Sequence, residues 1–67
     1  MSKKFSDNIC KLRQKKGMSQ DRLSKEADLA LNTIVKIETG ENPSPTVETL
    51  EKIAKALGVS VADLFKD

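Results

Sequence analysis

The stretch MSQDRLSKEADLALNTIVKIETG, residues 18–40, decides the fold of this 67-residue chain. Leu23 and Ala27 are four residues apart among polar neighbours, and Ile34 and Ile37 are three apart. Each pair therefore lies on one face of a helix. The stretch predicts two short helices joined by a turn, over residues 20–27 and 31–39.

Apolar residues at helical spacing predict three more helices outside this stretch. Two of them end before a glycine, which readily takes the left-handed conformation after a last helical turn. Pro43 and Pro45 form a loop, because proline lacks the N–H that a continuing helix needs. Ser60 and Asp63 resemble a capping box at the start of the last helix. The five predicted helices cover residues 6–16, 20–27, 31–39, 47–57 and 61–66.

The composition indicates one small all-α domain over residues 1–67 and argues against an enzyme. The chain has no His, a single cysteine and no glycine-rich loop. It therefore lacks a Ser-His-Asp or Cys-His nucleophile, a Cys/His zinc site and a phosphate cradle, and we expect no cofactor or metal. The lone Cys10 excludes an internal disulfide. With no signal-like start and no long apolar run, we expect a cytoplasmic protein that does not enter a membrane.

Charge is distributed unevenly along the chain. Residues 1–36 carry nine Lys/Arg against four Asp/Glu, whereas residues 37–67 carry three against six. Charge alone does not decide whether the basic half faces solvent, nucleic acid or lipid.

Several residues together resemble the lambda-repressor-like family of helix-turn-helix DNA-binding domains, of the Cro/repressor or xenobiotic-response-element type. They cover nearly the whole chain, which makes the resemblance specific although each motif alone is weak. They are Arg13, Gly17, Met18-Ser19-Gln20, Leu23 and Ala27, then TIVKIETG at 33–40, PTVETL at 45–50 and IAKALGV at 53–59. The resemblance implies a compact five-helix domain in which the third helix enters the major groove of double-stranded DNA.

The residue types on that third helix suit base recognition. Asn32 matches the donor and acceptor of adenine, Lys36 can donate to guanine, and Leu31 can pack on a thymine methyl group. Gln20 stands at the start of the second helix, where a phosphate is favoured. The DNA-binding residues we predict are Gln20, Leu31, Asn32, Thr33, Lys36, Thr39 and Asn42.

The family resemblance also implies a structural pair, Arg13 and Glu38, that ties the first helix to the third. Two residues depart from the family pattern around the turn. Asp28 stands where relatives commonly have Gly, and Ala30 stands where they have Ser or Thr. Because alanine offers no side-chain acceptor, we expect the cap of the third helix to be weak.

We expect the protein to act as a transcriptional regulator that binds a palindromic site as a homodimer, because one short helix reads few base pairs. No small-molecule effector is evident. The candidate dimer interface is Val61, Leu64 and Phe65, and the alternative is that this last helix only covers the core. The alternative function is an antitoxin-like protein-interaction module that uses Leu31 and Val35 as an apolar patch.

Overall fold

The computed structural model describes residues 2–41 and 45–66. It has four α-helices followed by one short 3₁₀ helix, and these described residues include no strand. The elements are α1 (Ser2–Lys15), α2 (Gln20–Glu26), α3 (Leu31–Thr39), α4 (Val47–Leu57) and the 3₁₀ helix (Ala62–Phe65).

The prediction of a fifth α-helix over residues 61–66 is wrong, because this segment forms a single 3₁₀ turn. Its backbone hydrogen bonds join residues three apart, such as Leu64 N to Val61 O at 3.0 Å. The predicted capping box is present: Ser60 Oγ accepts from Asp63 N at 3.2 Å, and Asp63 Oδ2 accepts from Ser60 N at 3.1 Å. The amide of Asn8 in α1 donates to the Leu64 carbonyl at 3.0 Å. That carbonyl is thus bonded across the fold rather than within a longer helix.

The first helix begins four residues earlier than its predicted start at residue 6 and ends at Lys15. The apolar spacing marked where packing begins, which is not where the helix begins. Phe5 belongs to α1 and is buried in the core, and its ring stacks on that of Phe65 with centroids 5.0 Å apart. The second helix ends one residue before its prediction, whereas α3 and α4 have the predicted bounds.

All four helices and the 3₁₀ helix contribute to one aliphatic core. Six large apolar side chains have no solvent exposure at all, and each comes from the stripe that helical spacing assigned to its element. They are Ile9, Leu23, Ile34, Ile37, Ile53 and Leu57, and Leu64 joins them from the 3₁₀ helix.

Three helices end in the same hydrogen-bonded turn, and in one of them the residue in the left-handed conformation is not glycine. After α2, Leu29 N donates to Ser24 O at 2.8 Å and Asp28 N donates to Lys25 O at 3.2 Å. Asp28 takes the left-handed conformation here, with φ 57°. Gly17 and Gly58 take the same conformation in the turns after α1 and α4. This Schellman turn reverses the chain between α2 and α3.

Candidate nucleic-acid interface

Helix α3 has one face in the core and one face open to solvent. Ile34 and Ile37 are fully buried against α1 and α2. The side chains of Leu31, Asn32 and Lys36 lie on the exposed side, and Leu31 is 44% exposed. Packing on the buried side fixes the direction in which these three side chains point.

The N-terminal end of α3 has no side-chain cap. Ala30 occupies the N-cap position with extended backbone, and no side chain accepts a hydrogen bond from the first turn. The equivalent positions before α2 and α4 are Ser19 and Thr46, and both accept from the backbone N–H three residues on. Thr33 N donates to the Ala30 carbonyl at 3.0 Å, so the N–H groups of Leu31 and Asn32 are the ones that can reach an acceptor outside the protein.

A charged network lies directly beneath this face. Arg13 binds Glu38 through two hydrogen bonds, Nε to Oε2 at 2.7 Å and Nη2 to Oε1 at 3.1 Å. The two side chains are 12% and 5% exposed. The hydrogen bond to Glu38 raises the pKa of Arg13 above its ordinary value, and the guanidinium stays charged. The pair thereby ties α1 to α3, the structural role that was expected of it.

Arg13 also holds the turn that precedes α2. Its Nη1 donates to the carbonyl of Met18 at 2.7 Å, and Nη2 contacts Cys10 Sγ at 3.6 Å. The half-buried thiol of Cys10 thus packs beside the network.

Gln20, which we predicted to contact phosphate, belongs to the same network. Its Nε2 donates to Glu38 Oε1 at 3.0 Å, and its side chain is half-buried at the start of α2. No local sequence pattern indicates this bond, because Gln20 and Glu38 are eighteen residues apart and only helix packing brings them together.

The other predicted DNA-binding residues divide by position. Thr39 is exposed at the end of α3, where its hydroxyl donates to the Lys36 carbonyl at 3.2 Å. Thr33 is half-buried. Asn42 lies outside the described residues. The structure therefore brings Leu31, Asn32 and Lys36 to one exposed face and places Gln20 at its edge.

Leu64, predicted as part of a dimer interface, lies in the core of the domain. Its side chain has no solvent exposure, so it has no surface left for a partner. Val61 is half-buried, whereas Phe65 stacks on Phe5 and is still 54% exposed.

Residues 2–41 and 45–66 hold no group of three or more His, Cys, Asp or Glu that could bind a metal ion. Within the same ranges, no helix has the length and apolar character needed to cross a membrane.

A family model described as helix-turn-helix matches residues 11–64, a range that includes α2, the turn and all of α3. The chain belongs to the lambda-repressor-like helix-turn-helix family. In this chain α3 is the second helix of the helix-turn-helix motif. No solved structure gives a significant match to the chain.

Curated helix-turn-helix relatives cover nearly all of the chain. The transcriptional repressor RstR of the cryptic phage CTXphi, from Vibrio cholerae, is 36% identical over 94% of this chain and 56% of its own length. The uncharacterized regulator y4dJ of Sinorhizobium fredii is 34% identical, over 96% of this chain and 82% of its own. The control protein C.BamHI of Bacillus amyloliquefaciens is 39% identical, over 91% and 75%. The chain thus spans little more than half of the phage repressor.

Proposed function

We propose that this protein is a transcriptional regulator that binds a specific double-stranded DNA sequence through α3. The observation that carries the proposal is the division of α3 into a buried face, which anchors it on α1 and α2, and an open face with Leu31, Asn32 and Lys36. Membership of the helix-turn-helix family and the regulators among its relatives support it.

Three exposed residues of α3 each have a base partner that suits their chemistry. The Asn32 amide pairs with N6 and N7 of adenine, and the Lys36 ammonium donates to O6 and N7 of guanine. Leu31, which has no hydrogen-bonding group, packs on a thymine methyl group. Gln20, Thr33, Thr39 and Asn42 contact the backbone or the edges of the same site.

The proposed complex is a homodimer on a palindromic site. An α3 of nine residues reads about four or five base pairs, too few for a useful specificity, so two copies on inverted half-sites are needed. Phe65 and Val61 remain the interface candidates, because Phe65 is 54% exposed. In this proposal the protein works in the cytoplasm and needs no effector molecule.

The test is a selection from a random double-stranded DNA library with the purified protein, followed by sequencing of the bound molecules. We expect an enriched sequence with two inverted half-sites about ten base pairs apart, each with A·T pairs. A bound pool as random as the input, from protein shown to be folded, would overturn the proposal.

Variants of α3 then separate base readers from backbone contacts. We expect Asn32→Ala and Lys36→Ala each to weaken binding to the selected site about tenfold, and to affect random DNA far less. Lys55→Ala removes the same charge from an exposed position on another helix, α4, and serves as the control. Equal losses of affinity for the selected site and for random DNA would demote Asn32 and Lys36 to phosphate contacts.

The alternative, a protein-interaction module, is favoured by the exposure of Leu31 on α3. Val35 is half-buried, however, so the apolar patch on this helix has one well-exposed side chain. An interface of that size is small for a specific protein partner.

A further inference from the structure

The protein itself fixes the orientation of the Gln20 amide. A carboxylate has only acceptor atoms, so the NH₂ group of Gln20 must face Glu38, as it does at 3.0 Å. The Oε1 atom and the second N–H of the same amide then lie away from Glu38. Of the hydrogen-bond donors on this side chain, only that second N–H remains for another partner.

Glu38 can fix the position of this amide because hydrogen bonds from Arg13 fix the position of the Glu38 carboxylate. Its side chain is 5% exposed, and Arg13 binds both carboxylate oxygens. Arg13 is fixed in turn by the Met18 carbonyl, just before the cap of α2. The side chain of Gln20 is thus held by a network that joins α1, the turn between α1 and α2, α2 itself and α3.

We propose that Glu38 is a positioning residue for DNA binding, and that it directs the free N–H of Gln20 at a phosphate oxygen. This inference rests on the proposed function. Folding already restricts the Gln20 side chain to one rotamer. DNA binding therefore does not have to order this side chain, and the free energy of binding does not include that loss of side-chain entropy. A residue beneath the interface thereby contributes to affinity without touching DNA.

The test uses a variant in which Gln20 loses its support, together with the bond from Arg13 to the Met18 carbonyl, while apolar side chains fill the space of the ion pair. Arg13→Met with Glu38→Leu replaces the ion pair by apolar side chains and leaves the net charge unchanged. Such replacements of buried pairs are often neutral for stability, whereas removing one partner alone leaves an unpaired charge. Circular dichroism and a urea titration verify that the variant folds.

The expected result is a non-additive loss of affinity. Gln20→Ala and the Arg13/Glu38 variant should each weaken binding to the selected site about tenfold, and their combination should bind no more weakly than either one. Because Gln20 is neutral and neutralises no phosphate charge, neither variant should change the salt dependence of binding. The control variant, Arg22→Ala with Glu26→Ala, removes an exposed ion pair from α2, the helix that carries Gln20. It should leave the affinity for DNA within about twofold of the unaltered chain.

A second measurement uses the unaltered chain and needs no variant to fold. NMR relaxation of the Gln20 side-chain amide, without DNA, should give an order parameter near that of rigid backbone, about 0.85. A value below about 0.6, as in flexible segments, would overturn the inference.

The outcomes separate the inference from the proposed function. Wild-type affinity in Gln20→Ala or in the Arg13/Glu38 variant, or additive losses in their combination, would overturn the inference alone. Absence of any enriched sequence with the unaltered chain would overturn both.

Discussion

Asp28 is the residue on which the helix-turn-helix depends most locally. It takes φ 57°, a conformation that is costly for residues with a Cβ and least so for Asn and Asp. The side chain is exposed, so no packing compensates for this cost. Position 28 therefore carries backbone strain in this chain.

We expect Asp28→Gly to raise the free energy of unfolding by up to about 1 kcal/mol, because relief of the strain exceeds the added entropy of the unfolded chain. Asp28→Ala should lower it by about 1 kcal/mol, because alanine resists positive φ and lacks the local hydrogen bonds of Asp. Urea denaturation gives both values. Asp7→Gly, at an exposed position in the middle of α1, is the control and should lower the free energy of unfolding. A lower stability for Asp28→Gly would refute this account of the turn.

At the scale of the elements, α3 is held by packing rather than by its cap. Ala30 already has the extended backbone of an N-cap, with φ −68° and ψ 145°. Thr46 has nearly the same angles before α4, and its hydroxyl accepts from Thr49 N at 3.2 Å. Position 30 has no hydroxyl, and Thr33 N donates instead to the Ala30 carbonyl at 3.0 Å.

Ala30→Ser should stabilise the protein by about 0.5 to 1 kcal/mol, because the hydroxyl can accept from Thr33 N, which now donates only to the carbonyl of residue 30. The midpoint of urea denaturation measures the gain. Ala62→Ser introduces the same hydroxyl at an exposed alanine outside an N-cap position, and it should change stability by less than about 0.5 kcal/mol. If both variants were equally stable, the cap of α3 would not limit stability.

At the scale of the whole molecule, the uneven charge distribution bears on the partner. The basic excess lies in the part of the chain that forms α1, α2 and most of α3, and the acidic excess lies in the part that contains α4. A nucleic-acid partner would be drawn to the former, whereas an apolar protein interface would be nearly indifferent to either.

Binding to the selected DNA should weaken steeply with salt. If Lys and Arg of the basic part neutralise about four phosphates per dimer, the association constant should fall about a hundredfold between roughly 50 and 200 mM salt, as bound counterions are released. Fluorescence anisotropy over this range measures the slope, and circular dichroism checks that salt does not alter the fold. A flat profile would favour the protein-interaction module.

The amino-acid sequence was enough to predict the all-α class, the bounds of α3 and α4, and the two faces of α3. These follow from apolar spacing and from Gly and Pro breaks, which act within a few residues of the positions they control. The resemblance also implied the pairing of Arg13 with Glu38.

The tertiary structure alone decided what depends on distant contacts. It placed Leu64 in the core, limited the last helix to one 3₁₀ turn and stacked Phe65 on Phe5, sixty residues away. It also joined Gln20 to Glu38. No local pattern encodes these contacts, because each arises from how helices with separately determined faces pack on one another.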